Sequence, residues 1–216
     1  MQKEKELLDS LHDAVVAGNI QKARKIAEQA VQRGLSANVA LEKMKDAMRV
    51  VDEKYERKEY FVVDVASSAS AMREAFKILE PHLTVESTHV VGKVVIGSLK
   101  GNVQGLGKDI VAATLRAAGL DVVDLGVDVP PNTFVDTAVR EKAQIIAISI
   151  SIEETVPLLK KVINLIQKRR LGDKIKTVIG GQAVSEETCK EYGVDAYAKD
   201  AWECVKKVQQ LLRVSD

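Results

Sequence analysis

Apolar residues in the first third of the chain recur at spacings of three and four: Leu7, Leu8, Leu11, Ala14 and Val15, then Ala23, Ile26, Ala27, Ala30 and Val31, then Val39, Leu41, Met44, Met48 and Val51. That period places each set on one side of an α-helix. The pattern runs from Glu4 to Leu79, breaks at Gly18-Asn19, at Gly34-Leu35-Ser36 and in the charged stretch Glu56-Arg57-Lys58-Glu59, and is closed by Pro81. Such residues end helices, so the segment reads as four helices. Short connections imply a bundle of antiparallel neighbours.

From His89 onward, short β-branched runs alternate with amphipathic stretches, beginning with Val90-Val91-Gly92-Lys93-Val94-Val95-Ile96-Gly97. The pattern predicts strands near 91–97, 121–125, 144–149, 175–179 and 195–198, and helices near 107–119, 132–141, 154–169, 185–192 and 201–212. Five strands, each followed by a helix that covers it, make a parallel, doubly wound sheet. The chain is therefore read as α + α/β, with an N-terminal four-helix bundle over residues 1–85 and a five-stranded α/β domain over residues 88–216. The stretch between Leu83 and Thr88 is the junction.

A length of 216 residues suits two small domains with cores of their own. Lys+Arg 32 against Asp+Glu 31 leaves a formal charge of +1, which gives no electrostatic case for a nucleic-acid partner. No stretch has the apolar length of a membrane span. With three His and two Cys, a His/Cys-rich metal site has few candidates, and Cys189 and Cys204 fit no zinc spacing. The N-terminus, Met1 to Gly18, lacks an apolar signal core, so a cytoplasmic location with free thiols is expected.

In an open α/β sheet, ligands gather at the carboxyl ends of the strands, near the reversal of strand order. Three loops fall there: Ser98 to Gly107 after the first strand, Ser149-Ile150-Ser151 after the third, and Gly180-Gly181-Gln182 after the fourth. The first is rich in glycine, but Gly105-Leu106-Gly107-Lys108-Asp109-Ile110 lacks the third glycine of a dinucleotide fingerprint, although Asp124 partly mimics that fingerprint's acidic residue. A phosphate-binding P-loop is excluded because Asp109 follows Gly107-Lys108 where a hydroxyl is needed. Gly180-Gly181 ends an apolar strand with two residues that lack side chains, which suits either a tight turn or a floor for a wide, flat group. Ser149 suits a helix cap or a ligand contact.

The order of these pieces resembles the cobalamin-binding proteins of corrinoid-dependent methyltransferase systems, similar to the cobalamin-binding module of methionine synthase. The resemblance covers nearly the whole chain. It is carried by Glu53-Lys54-Tyr55-Glu56-Arg57-Lys58-Glu59-Tyr60-Phe61, Ala69-Ser70-Ala71-Met72, the run from Gly101 to Val111, Ser149 and Gly180-Gly181. It implies a helical bundle that caps the upper face of the corrin and a Rossmann-like (flavodoxin-like) domain whose loops take the lower face and nucleotide tail. Gly101, Val103, Gly105, Leu106, Gly107, Ser149, Ser151, Gly180 and Gly181 are then cofactor contacts. Met44, Met48 and Met72, with Val51 and Val65, become candidates for the cap, although Met at helical spacing also suits a bundle core.

The resemblance breaks at the family's central Asp-x-His-x-x-Gly motif. Gly107 matches, but Asn102 stands at the Asp position and Gln104 at the His position. In the family that His is the lower cobalt ligand, the Asp binds its far nitrogen, and a Ser at the position of Ser149 completes a proton relay. An imidazole offers a strong nitrogen donor and titrates near neutral pH, whereas an amide offers a weak carbonyl oxygen and does not titrate. Gln104 is thus expected beneath cobalt as a weak ligand, through a held water, or with no axial contact, and Asn102 as its support. His12, His82 and His89 do not restore the missing ligand. Ser151 also stands where the family's Ser-x-Leu motif has Leu.

Three functions follow. The first is a methyl-carrier subunit: a partner methyltransferase loads methyl from a small donor onto cobalt, a second moves it to tetrahydrofolate or a thiol, and a reductive activase is a further partner. Cobalamin would be bound base-off without a His ligand. The second is a non-catalytic cobalamin carrier, store or sensor. The third is an interaction or small-ligand module on an inherited fold, without a corrin.

Overall fold

The computed structural model describes residues 2–84 and 92–214, which divide into two compact units at Thr84/Val85. Most of the junction expected at Leu83–Thr88 lies outside the described residues. The first unit holds α1 (Gln2–Val16), α2 (Ile20–Gln32), α3 (Ala37–Glu56) and α4 (Val62–Leu79), followed by a 3₁₀ turn at Glu80–His82. The helices start where the sequence supplies acceptors for their free amides. Asn19 Oδ1 accepts from Lys22 N at 3.0 Å, and Asp64 Oδ2 accepts from Phe61 N at 2.8 Å.

The buried stripes of α2 (Ala23, Ile26, Ala27, Ala30) and α3 (Ala37, Ala40, Leu41, Met44, Ala47, Val51) follow the predicted period. The most extensive helix packing joins α2 to α4 and α1 to α3, beyond the consecutive pairs that short connections suggested. Small residues permit the close approach: a Cβ on Gly18, at φ +63°, would lie 2.7 Å from Ser67 Cβ. Tyr60 and Ser68 both donate to the Val16 carbonyl, each at 3.0 Å, and so tie the end of α1 to the start of α4.

The second unit alternates strand and helix: β1 (Lys93–Ser98), α5 (Leu106–Ala117), β2 (Asp121–Asp124), α6 (Pro131–Arg140), β3 (Ile145–Ser149), α7 (Leu159–Lys168), β4 (Lys176–Gly180), α8 (Glu186–Tyr192), β5 (Ala196–Tyr197) and α9 (Ala201–Val214). All pairings are parallel, in the order β2-β1-β3-β4-β5. Alternation along each strand feeds two cores. Val95, Ile146 and Ile148 pack with Phe134, Val135, Ile163 and Ile166 on one face, while Val94, Ile96, Ile145 and Val178 pack with Leu115, Val205 and Val208 on the other. Gly97 makes room for Phe134, whose ring would be 3.0 Å from an added Cβ.

Two boundaries differ from the pattern. The helix expected over 154–169 is a 3₁₀ segment, Glu153–Leu158, followed by α7. Pro157 has no N–H to give and crowds the preceding turn. The last strand is only two residues long, as befits a sheet edge.

Candidate functional site

The strand order sets the place of the site. From β1 the chain crosses to β2 on one side and then to β3 on the other, so the loops after β1 and β3 diverge at the reversal point. Register brings Ser98, Ser149 and Gly180 side by side at the ends of β1, β3 and β4. The three loops singled out in the sequence therefore share one edge.

Asn102 is the hub of the first loop. It is 0 % exposed, its Nδ2 donates to the Ser149 carbonyl at 3.3 Å, and its Oδ1 accepts from Gln104 N at 3.2 Å. Ser98 Oγ donates to the Gln104 carbonyl at 3.2 Å. Gln104 is thus held by its backbone on both sides, while its side chain is exposed and takes no hydrogen bond among the described residues. Asn102 supports Gln104 through the main chain and not through the amide side chain. Val103 beside it is 70 % exposed, and Leu106 is half-buried.

The start of α5 is anchored by Lys108, which is 3 % exposed and bonds Asp124 Oδ2 and Asp109 Oδ1, each at 2.6 Å. Asp124 Oδ1 accepts from Gly126 N at 2.8 Å. Both oxygens of Asp124 are therefore engaged, which removes it as a counterpart of the ribose-binding acid considered from the sequence. Neutralising Asp124 as Asp124→Ala leaves a buried ammonium with one partner. A loss of about 2–4 kcal/mol in urea denaturation is expected.

The glycines divide into two kinds. A Cβ on Gly107 would meet nothing within 4 Å. On Gly180 it would lie 2.7 Å from the Ala198 carbonyl oxygen, and on Gly181 2.1 Å from the Ile150 carbonyl oxygen. Gly180 O accepts from Ile150 N at 2.9 Å, and Ile150 O accepts from Ala183 N at 3.2 Å. The Gly-Gly pair thus lets the β4 loop lie against its neighbours, which is the tight-turn reading of that motif. Ser149 and Ser151 are half-buried, and the Ser149 carbonyl joins the loops by accepting from Leu99 N at 3.2 Å as well as from Asn102.

Met44 (0 % exposed) and Met72 (3 %) lie on buried stripes of α3 and α4, together with Val51, so the structure favours the bundle-core reading. Met48 and Val65 are half-buried. Among the exposed apolar side chains of the first unit, which include Ile20, Val39 and Tyr55, the most exposed are Phe61, Val62 and Val63 at the start of α4. The sequence reading passed over them because three adjacent apolar residues fit no single helix face. It also gave Ser98, at the start of the first loop, no role of its own, and it missed Val127 and Asp128, which adjoin that loop.

His12 is half-buried beside Asp13, His82 is exposed, and His89 lies outside the described residues. Among the described residues no cluster of three His, Cys, Asp or Glu could hold a metal ion. Burial pushes the Cys204 thiol up to about 12 and raises that of Cys189. At pH 8 only about one Cys204 in 10⁴ is thiolate. Iodoacetamide should leave both thiols unlabelled until the protein is unfolded, as mass spectrometry can check.

Comparison with known proteins agrees with this fold. The B12 binding domain family matches residues 92–205, and a second B12 binding domain family matches residues 7–80. The chain is 33% identical to trimethylamine corrinoid protein 1 of Methanosarcina acetivorans over 215 residues, covering 98% of this chain and 100% of the relative. The monomethylamine corrinoid protein of Methanosarcina barkeri superimposes with a TM-score of 0.88 at 27% identity, over 96% of this chain and 99% of that one. A chain of the methanol:cobalamin methyltransferase complex MtaBC from Methanosarcina barkeri matches with a TM-score of 0.54 at 26% identity, covering 96% of this chain and 80% of that chain. With one B12 binding domain family matched over the second unit and another over the helical unit before it, the chain belongs to the B12-binding corrinoid protein family.

Proposed function

We propose that this protein carries a methyl group on the cobalt of cobalamin between partner methyltransferases, and that it holds the cofactor base-off with no His ligand from the protein. The observation that carries the second part is Gln104: at the reversal point of the sheet, where the family's ligand loop lies, it presents an amide whose side chain is uncommitted. The first part is supported by relatives named for methylamine corrinoid systems and by likeness to a chain of a methyltransferase complex.

The edge fits a corrin. Exposed Val103 and Val127 offer apolar contact to a broad ring, a Cβ on Gly107 would meet nothing within 4 Å, and Gln104 and Asn102 bring no charge to the loop. When bound, the cofactor supplies a cobalt that accepts a methyl group from one partner and yields it to another. The chain's own residues bind and orient. Asn102 and Ser98 hold the loop, and Gln104 would offer the metal a weak neutral donor, a water it retains, or no axial contact. With no imidazole there, no residue at that position titrates near neutral pH. Methyl loading from a small donor, delivery to tetrahydrofolate or a thiol, and reductive reactivation are then tasks for separate partner proteins.

Two measurements test this. Protein reconstituted with hydroxocobalamin should elute coloured on gel filtration, and its Co(II) form should show an EPR spectrum without nitrogen superhyperfine splitting. Splitting from an axial nitrogen overturns the His-off, base-off assignment, and a colourless protein peak overturns cofactor binding. Transfer of methyl from a methylamine methyltransferase to the loaded protein separates a carrier from a store, which would bind the cofactor and accept no methyl.

A further inference from the structure

The segment after β2 does more than lead into α6. It continues the parallel pairing along the ligand-bearing loop: Ser98 N donates to Gly126 O, Val129 N to Ser98 O and Lys100 N to Val129 O, each at 2.9 Å. Asp128 then closes a ring with that loop. Its Oδ1 accepts from Gly101 N at 2.7 Å, and its own N–H donates to Asn102 O at 3.1 Å. To do so Asp128 adopts φ +56°, a left-handed conformation that costs a residue with a Cβ and persists where surrounding bonds enforce it. Between the two left-handed residues Gly126 and Asp128 stands Val127, 40 % exposed. It lies so close to the loop that a Cβ on Gly105 would be 3.0 Å from Val127 Cγ1.

We infer that residues 126–129 form a wall of the corrinoid site, in which Val127 contacts the ring and Asp128 is the positioning residue that holds the wall to the loop carrying Gln104. The inference rests on the corrinoid reading above. An apolar side chain held in solvent by a strained, hydrogen-bonded turn is explained when a broad apolar face covers it. The two ends of the ring, Gly101 N and Asn102 O, adjoin the residue that pins Gln104, so hydrogen bonds tie the wall to the loop that carries Gln104.

The test uses two probes on the whole chain: hydroxocobalamin and diaquocobinamide, which has the ring without the nucleotide tail. Binding is followed by absorbance. Val127→Asp should weaken both at least about tenfold, because a carboxylate loses its water against an apolar ring. Its urea midpoint without cofactor should stay at the wild-type value, since the side chain is exposed. Val127→Ile should bind both within about twofold of wild type. For Asp128, Asn keeps the acceptor and tolerates the left-handed backbone, while Gly relieves the backbone and loses the acceptor. Asp128→Asn should therefore bind like wild type and Asp128→Gly about five- to tenfold more weakly. Wild-type affinity of Val127→Asp for cobinamide overturns the ring contact, and wild-type affinity of Asp128→Gly overturns the positioning role. If the wild-type protein binds neither probe, it is the corrinoid reading itself that falls.

Discussion

Gly181→Ala is expected to cost the cofactor-free protein at least about 3 kcal/mol, a large part of the 5–15 kcal/mol that holds most domains folded. Two independent effects add. Gly181 has φ +126°, where an L side chain is strained, and the new Cβ would lie 2.1 Å from Ile150 O, 2.7 Å from Ile150 C and 3.0 Å from Ile150 N. These are main-chain atoms of the segment that follows β3, fixed by the bonds from Ile150 N to Gly180 O and from Ala183 N to Ile150 O. They have no rotamer by which to move away. Urea denaturation without cofactor measures the effect, and a loss under about 1 kcal/mol would show that the two loops part easily. Gly107→Ala is the control: with nothing within 4 Å and a place in the first turn of α5, it should change stability by no more than about 1 kcal/mol. Weaker cobalamin binding by that variant would then report on the ligand and not on the fold.

This contrast shows what the sequence can and cannot tell. The order of elements was legible because buried strands and helix stripes repeat with fixed periods, and the cores of both units keep them. The three loops were legible because a parallel sheet delivers all its strand ends to one edge. What each glycine does there was not, since Gly107, which faces open space, and Gly181, which faces a carbonyl, look alike as letters. Met44 and Phe61 mark the same limit in the bundle. Periodicity placed Met44 on a stripe without saying which way the stripe faces, and gave Phe61 no face at all, yet Met44 is buried and Phe61 is 68 % exposed. Asp128 left no signal, because its role depends on Gly101 and Asn102, distant in sequence.

Asn102→Asp should be costly although it changes no volume. The Asn side chain donates to the Ser149 carbonyl with Nδ2 and accepts from Gln104 N with Oδ1, inside a loop where the residue is 0 % exposed. A carboxylate retains the acceptor and loses the donor, so a charge is buried facing a carbonyl oxygen. A loss of about 1–3 kcal/mol in the cofactor-free protein is expected. Gln104→His alone should be nearly neutral, since the side chain at 104 is exposed and the loop holds that residue by its backbone. Made together, the two changes place an imidazole N–H donor and a carboxylate two residues apart in the same loop, which gives the buried charge a partner. The double variant should then recover part of the stability lost by Asn102→Asp, with a coupling of about 0.5–3 kcal/mol in a double-mutant cycle. Loaded as Co(II), it should also show nitrogen splitting, which is expected to be absent from the native protein. Strictly additive stabilities with an unchanged spectrum would mean that residue 104 does not lie below the metal. Coupling with the splitting present would identify the Asn–Gln pair as one substitution in two parts, in which the amide at 102 is kept because, without a ring to orient, its donor is better used on Ser149.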